Sequence, residues 1–240
     1  MIEVLTVSSA EEAGAIVARA ITALIDEKPD AVLGLATGSS PLPVYKALAQ
    51  SGADFSRARG FALDEYVGLD PAHPESYRSV ITREVVEPLG LDPALVHVPP
   101  GALDGVETAG ARYEAMIREA GGVDVQLLGI GSNGHIAFNE PGSPLDSRTR
   151  REELTERTRL DNARFFDSLE DVPHACMTQG VGTILEAKRI FLLAWGEGKA
   201  AAIRDAVEGP ISSDCPASAL QGHPNVTFLL DEGAASLLSR

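Results

Sequence analysis

Short apolar runs alternate with amphipathic stretches along all 240 residues, and this alternation limits the possible folds more than any other feature. The runs at 31–36, 123–130, 189–195 and 226–230 have the length and composition of buried strands. Parallel strands can be joined only by crossover connections, which are usually helical. We therefore predict an α/β fold, an open, mostly parallel, doubly wound (Rossmann-like) sheet with helices on both faces. We expect one domain over residues 1–240.

The amphipathic stretches predict the helices of this sheet. The first, at 9–28, opens with the Ser-x-x-Glu pattern of a capping box, formed by Ser9 and Glu12. Similar apolar spacing predicts further helices, at 41–50, 75–87, 105–120 and 197–207.

Composition excludes several classes of function. No apolar run approaches the ~18 residues of a membrane-spanning helix, and the first residues lack the pattern of a signal peptide. The two cysteines are too few for a disulfide framework, so we expect a reducing cytoplasm. A net charge of −15 disfavours nucleic acid and anionic membranes as partners. Any anion that binds must therefore meet a local cluster of donors.

One segment differs from its surroundings. Residues 147–171 are rich in Arg, Glu and Asp and lack a clear strand pattern. The segment is either a solvated surface excursion or a mobile lid over a site, because lids are drawn from weakly packed segments. The sequence leaves both interpretations open.

The loop after the first predicted strand, Thr37-Gly38-Ser39-Ser40-Pro41, has the composition of an anion site. Gly38 allows the backbone to turn its N–H groups inward, and three hydroxyls lie beside it. The loop lacks the Lys of a nucleotide P-loop. It therefore predicts binding of a phosphate monoester, whereas an ordinary helix cap would explain only one of the serines.

A second loop follows the apolar stretch that ends at Leu63 and carries Asp64 and Glu65. Adjacent side chains at a strand end point to opposite sides, so one carboxylate can face the ligand crevice while the other bonds to backbone or solvent. Ligands of such sheets bind at the carboxyl ends of the strands. Asp64 is therefore a candidate general base.

The third loop, 129–142, holds the most chemistry. Its glycines form a tight turn that presents His135, with Asn133 and Glu140 near it in sequence. Histidine can transfer protons near neutral pH when a neighbouring group fixes its tautomer. The same loop matches the Gly-x-Gly-x-x-Gly pattern of dinucleotide sites, but prolines and a glycine follow where the helix should begin. We therefore do not expect NAD as a cofactor. We also expect no metal, because no second histidine has the spacing of a metal ligand.

Several segments of the chain resemble the motifs of a known family. The segment Gly-Ile-Gly-Ser-Asn-Gly-His-Ile-Ala-Phe-Asn-Glu-Pro at 129–141 resembles the signature of glucosamine-6-phosphate deaminases. The resemblance covers nearly the whole chain, with further matching motifs at 63–69, 73–77, 162–166, 180–184 and 216–220. It implies conversion of glucosamine 6-phosphate and water to fructose 6-phosphate and ammonia, without metal or organic cofactor.

The resemblance also implies a role for each residue of the site. Asp64 would remove the C2 proton and return it at C1, and His135 would open the sugar ring. Glu140 and Asn133 would orient His135, although some family members carry Asp where this chain has Asn133. The phosphate-binding residues would be Thr37, Gly38, Ser39, Ser40, Arg164 and Lys199.

Two alternatives from other classes stay open. A 6-phosphogluconolactonase-like hydrolase would share the fold and the phosphate loop but would not need a base at Asp64. A non-catalytic sugar-phosphate sensor would bind without turnover. In each case we expect a small sugar phosphate as ligand, no nucleic acid or membrane partner, and a monomer or small homo-oligomer.

Overall fold

Ten strands form two sheets in a computed structural model that describes residues 2–103 and 105–239. The strands are β1 Glu3–Thr6, β2 Val32–Leu35, β3 Arg59–Ala62, β4 Asp64–Tyr66, β5 Val96–His97, β6 Val125–Leu128, β7 Arg150–Glu153, β8 Ala175–Thr178, β9 Arg189–Ala194 and β10 Val226–Leu230. Seven of them form the central sheet in the order β1-β10-β9-β6-β2-β3-β5, and every neighbouring pair is parallel.

Helices cover this sheet. They are α1 Ala10–Glu27, α2 Leu42–Ala49, α3 Tyr77–Ile81, α4 Glu87–Leu89, α5 Val106–Glu119, α6 Glu156–Asn162, α7 Val181–Ile184 and α8 Ala200–Val207. Strands β2, β6 and β10 are buried along their whole length, which requires cover on both faces. The predicted α/β architecture is therefore confirmed.

The predicted cap of α1 forms at Ser9, and only the reciprocal bond of the capping box is shifted by one residue. Ser9 Oγ accepts the backbone N–H of Glu12 at 3.1 Å, as the capping box requires. The carboxylate of Glu12 reaches instead to the backbone N–H of Ser8, at 2.8 Å. The predicted helix at 75–87 is interrupted, because a π-helical turn at Thr82–Val86 joins α3 to α4.

The order of the strands identifies where a ligand should bind. From β2 the chain moves outward to β3 and β5, then returns to the other side of β2 to form β6. The crevice between β2 and β6 is therefore the topological switch point, and ligands of open α/β sheets bind at the carboxyl ends of the strands there. The Thr37–Ser40 loop follows β2, and the histidine loop follows β6.

A second, antiparallel sheet of order β4-β8-β7 was not predicted. Its edge strand β7 lies inside the segment 147–171, which we expected to lack strand structure. The sequence of β7 is Arg-Arg-Glu-Glu, so no apolar alternation indicates a strand. It forms because its backbone pairs with β8, whose four residues are all buried.

The start of that segment is firmly held. The carboxylate of Glu114 on α5 accepts the backbone N–H of Thr149 at 2.7 Å and the hydroxyl of Thr183 at 2.6 Å. Arg148 donates to the same carboxylate at 2.9 Å. A Cβ on Gly110 would lie only 2.0 Å from the Thr149 carbonyl oxygen, so α5 approaches this backbone as closely as a helix can.

Within the two described ranges, no helix has both the length and the apolar character needed to cross a bilayer.

Candidate active site

A cleft of about 700 Å³ opens at the switch point of the central sheet. The predicted phosphate-binding residues and the two proposed proton-transfer groups all line it, namely Thr37, Gly38, Ser39, Ser40, Asp64, His135, Arg164 and Lys199. Its walls carry three basic side chains, of Arg83, Arg164 and Lys199, against three acidic ones, of Asp64, Glu75 and Glu84. This local balance differs sharply from the net charge of −15, so an anion can enter.

The Thr37–Ser40 loop has the geometry that its composition predicts. Gly38 has φ of +84°, a left-handed conformation that favours glycine. The loop leads into α2, and the Tyr45 hydroxyl of that helix donates to the Ala36 carbonyl at 2.8 Å. This bond anchors the start of the loop to its helix, and residues 37–40 line the cleft from that fixed base.

Asp64 and Glu65 separate as strand alternation predicts. Asp64 lines the cleft, although only 6% of its surface is exposed. Burial, with a smaller contribution from the charge of Glu65, raises the pKa of Asp64 to about 8. Glu65 turns away and accepts the backbone N–H groups of Tyr66, Tyr77 and Arg78 at 2.8–3.0 Å. Asp64 is thus a strong proton acceptor, and Glu65 fixes the start of α3.

The second sheet joins Asp64 to the histidine loop. Asp64 pairs with Thr178 of β8, and the Thr178 hydroxyl accepts the backbone N–H of Phe138 at 3.2 Å. The side chain of Asn139 donates to the Gln179 carbonyl at 2.8 Å. Asp64 and the loop that carries His135 are therefore both hydrogen-bonded to strand β8.

The histidine loop packs the imidazole against its own backbone. The Gly131 N–H donates to the His135 carbonyl at 2.9 Å, which closes the turn. A Cβ on Gly131 would lie 2.3 Å from the His135 ring, so only glycine leaves room for it. Gly134, with φ of +87°, also has no space for a side chain, because Cys215 lies against it.

Glu140 and Asn133 lie behind the His135 ring and do not form part of the cleft wall. Glu140 Oε2 is 3.6 Å from His135 Nδ1 and accepts a hydrogen bond from Asn133 Nδ2 at 2.7 Å. Asn133 Oδ1 accepts the backbone N–H of His135 at 3.2 Å, so Asn133 contacts the backbone of the histidine and the carboxylate behind it. Burial alone would raise the pKa of Glu140, but His135, Thr158 and Asn133 lower it to about 2. Glu140 is therefore an anion at neutral pH.

The two predicted phosphate cations reach the cleft from different parts of the chain. Lys199 ends a short 3₁₀ turn after β9 of the central sheet. Arg164 lies in the 3₁₀ turn Ala163–Phe165 that continues α6, and its guanidinium lies 4.7 Å from the centre of the Phe165 ring. One cation is thus fixed to the sheet, and the other belongs to the segment 147–171.

Some residues that line the cleft were not predicted from the sequence. Tyr66 and Tyr77 line the cleft with their hydroxyls 3.5 Å apart, and Phe138 stacks on Tyr77. Thr158 also lines the cleft and donates to Glu140, 18 residues earlier in the chain. Tyr66 and Tyr77 lie in the matching motifs at 63–69 and 73–77, but nothing in those motifs indicates a role for them. No local pattern links Thr158 to Glu140.

Among the residues that the structure describes, no group of three or more His, Cys, Asp or Glu side chains could hold a metal ion.

Known proteins match the whole of this arrangement. A family model of glucosamine-6-phosphate isomerases/6-phosphogluconolactonase matches residues 6–228. A glucosamine-6-phosphate deaminase from Pseudarthrobacter chlorophenolicus is 58% identical in an alignment that covers 98% of this chain and 92% of that protein. Another, from Bifidobacterium longum, is 56% identical and covers 99% of this chain and 93% of its own length.

Solved structures agree with these relatives. A monomeric glucosamine-6-phosphate deaminase of the NagB superfamily superposes with a TM-score of 0.95 at 44% identity, over 99% of this chain and 100% of the other. A 6-phosphogluconolactonase from Trypanosoma cruzi has a TM-score of 0.81 at 19% identity, over 100% and 98% of the two chains, which shows a shared fold only. The chain therefore belongs to the glucosamine-6-phosphate deaminases, within the family of glucosamine-6-phosphate isomerases and 6-phosphogluconolactonases.

Proposed function

We propose that the protein converts glucosamine 6-phosphate and water to fructose 6-phosphate and ammonia. One observation carries the proposal: a phosphate-type loop, a buried carboxyl group and a histidine–carboxylate pair converge on a single cleft. The reaction needs these three elements, because the sugar must be held, opened and moved through a proton transfer at carbon. The names of the relatives support the same activity.

The phosphate of the substrate would sit on the Thr37–Ser40 loop. Loop N–H groups and hydroxyls donate to its oxygens, and Lys199 and Arg164 contribute charge. Holding the phosphate at this end places the sugar ring over Asp64 and His135, and such orientation converts remote binding energy into rate.

His135 would open the ring by moving a proton between the anomeric hydroxyl and the ring oxygen. This transfer requires that one ring nitrogen of the histidine accepts and donates the proton, while a neighbouring group holds the other ring nitrogen. Glu140, an anion behind Nδ1, stabilises the ring when it carries a positive charge. Asn133 holds Glu140 in that place and contributes no charge of its own.

Asp64 would then take the proton from C2 of the open-chain aldehyde. The electrons shift to O1, which takes up a proton from water to give an enol with the amine on C2. Return of the first proton from Asp64 to C1 then leaves a protonated imine at C2. Water adds to this imine and ammonia departs, so the atoms of the reaction balance. A carboxylate with a raised pKa suits this step, since a weak carbon acid needs a strong base.

We also propose that part of the segment 147–171 acts as a lid. Residues 147–153 are anchored to α5 and β8, so the moving part would be α6 and the turn with Arg164. Capture of the phosphate by Arg164 would close this part over the sugar and shield the enol from water. Proteolysis within 155–171 should slow when inorganic phosphate or fructose 6-phosphate is added. Unchanged cleavage would overturn the lid.

The proposals on assembly and location rest on fewer observations. A monomer agrees with the solved deaminase at 44% identity, which is described as monomeric. A cytoplasmic location agrees with Cys176 and Cys215, which are free and buried thiols. The cleft fits a sugar phosphate as the partner, and the net negative charge disfavours binding of nucleic acid.

A coupled assay tests the proposed function. The wild type should release equal amounts of ammonia and fructose 6-phosphate from glucosamine 6-phosphate, whereas Asp64→Asn and His135→Gln should be severely impaired. The same preparations are then given 6-phosphogluconolactone. Hydrolysis of the lactone without release of ammonia would replace the proposal with the lactonase alternative, and binding without either reaction would favour a sensor.

A further inference from the structure

The carboxylate of Glu140 joins the histidine loop to α6. Its Oε2 atom faces the histidine loop, where it accepts from Asn133 and lies 3.6 Å from His135 Nδ1. Its Oε1 atom faces α6 and accepts the hydroxyls of Thr158 and Thr155, the latter at 3.3 Å. The orientation of the carboxylate therefore depends on both sides.

The two threonines are themselves rigidly placed. Thr155 caps α6, because its Oγ1 accepts the backbone N–H of Thr158 at 3.1 Å. Thr158 is 5% exposed, lies on the first turn of the helix and lines the cleft. The Thr158 hydroxyl is therefore buried against Glu140 and carried on the first turn of α6.

The histidine side of the link is incomplete in this structure. The Nδ1 atom of His135 is buried and has no hydrogen-bond partner among the described residues. Its distance of 3.6 Å from Glu140 exceeds the 2.7–3.2 Å of an N–H···O hydrogen bond, so a shift of about 0.5 Å would form one. Since Oε1 is held by α6, the position of α6 decides whether that bond forms.

Arg164 lies at the other end of the same helical segment, six residues after Thr158. We propose that Thr158 is a positioning residue that ties Glu140 to α6, so that capture of the substrate phosphate by Arg164 brings Glu140 into hydrogen-bond contact with His135. The inference rests on the proposed function, because it assigns the phosphate to Arg164 and ring opening to His135. It adds a physical connection between the binding end of the cleft and its chemistry.

The test compares Thr158→Val, which removes the hydroxyl at nearly constant volume, with Thr158→Ser, which keeps it. Loss of a hydrogen bond to a charged group should lower kcat for glucosamine 6-phosphate about 10-fold. KM should stay within about twofold, since Thr158 makes no contact with the phosphate in this scheme. The serine variant should return kcat to within about twofold of wild type. Thr82→Val is the matched control, because Thr82 is exposed and its hydroxyl donates to the backbone carbonyl of Arg78.

Two further readouts separate positioning from packing. The pKa of the Glu140 carboxyl group, followed by NMR titration, should be higher in Thr158→Val, because Glu140 loses a bond that favours its charged form. The rise of the rate with pH, which Asp64 sets, should stay in place. In an Arg164→Gln background, Thr158→Val should cost less than about threefold, since the link that it breaks is already idle. Should the valine variant not fold, Thr158→Ala and Thr158→Ser are compared in the same way.

The outcomes are distinct. A wild type that releases no ammonia would overturn the proposed function, and this inference with it. An active wild type with valine and alanine variants within twofold of it would overturn the inference alone. A serine variant that loses as much kcat as the valine variant would show that the hydroxyl does not carry the effect, and would overturn the inference. Additive losses with Arg164→Gln would refute the link to phosphate capture.

Discussion

The two walls of the cleft are built in different ways. The wall with Asp64, His135, Lys199 and the Thr37–Ser40 loop grows from strand ends of the two sheets, which are fixed by backbone hydrogen bonds. The wall with Thr158 and Arg164 grows from a helix of seven residues and a 3₁₀ turn outside both sheets. Groups at strand ends keep their geometry because backbone hydrogen bonds hold the strands. A short helix that is held mainly by side-chain contacts can move more easily. The molecule thus holds the proposed proton-transfer groups on the rigid wall and divides the proposed phosphate-binding groups between the two walls.

The largest effect should come from the rigid wall. Asp64→Asn keeps the size of the side chain but cannot accept the C2 proton, so kcat should fall by about 10²–10⁴-fold. Binding of fructose 6-phosphate should persist, as measured through the fluorescence of Trp195, the single tryptophan. Asp54→Asn, an exposed aspartate outside the cleft, is the control. A kcat within tenfold of wild type would remove Asp64 from the reaction.

His135→Gln should lower kcat by about 10²-fold, because ring opening loses its proton carrier. The open-chain form arises slowly in solution, so the residual rate should be independent of enzyme concentration once that step limits it. A plot of rate against enzyme concentration measures this saturation. A residual rate that stays proportional to enzyme concentration would place His135 in another step.

On the mobile wall, Arg164→Gln should act mainly on binding, and its effect on kcat should not exceed the roughly tenfold loss expected for Thr158→Val. Loss of a charge-assisted contact to the phosphate should raise KM for glucosamine 6-phosphate by about 10- to 100-fold. Turnover of glucosamine without its phosphate should not change, which is measured with the same ammonia assay. Arg57→Gln, on an exposed loop, serves as the control. Equal losses for both substrates would contradict a phosphate role for Arg164.

The pH dependence follows from Asp64. Its pKa is raised to about 8, and the base must be ionised, so kcat/KM should increase with pH up to about 8 and then level. Below that value the expected change is about tenfold per pH unit. Steady-state rates between pH 5.5 and 9 measure it. A profile that is flat from pH 6 to 8 would show that Asp64 does not act as the base in this form.

The smallest effect on catalysis is expected where the segment 147–171 is anchored. Glu114→Gln weakens the bonds to Arg148, Thr149 and Thr183, and should cost about 1–3 kcal/mol of unfolding free energy. The melting temperature should fall by several degrees, with kcat and KM within about twofold of wild type. A large loss of kcat at unchanged stability would mean that the anchored and the moving parts are not separate.

These differences also explain what the sequence could predict. The Thr37–Ser40 loop, Asp64 and the histidine loop follow buried strands of the central sheet, so chain order and apolar pattern locate them. Strand β7 is Arg-Arg-Glu-Glu, and only its pairing with β8 makes it a strand. The contact of Thr158 with Glu140 spans 18 residues and depends on how α6 docks, which no periodicity records.

The most direct measurement is a crystal structure with a reduced, open-chain amino sugar phosphate, which cannot react. We expect its phosphate on residues 37–40, Lys199 and Arg164, its C2 atom about 3–3.5 Å from the Asp64 carboxyl group, and the oxygen of the former ring beside His135. A phosphate bound elsewhere, or a C2 atom beyond the reach of Asp64 while His135 faces empty solvent, would contradict the claim that these groups act on one sugar.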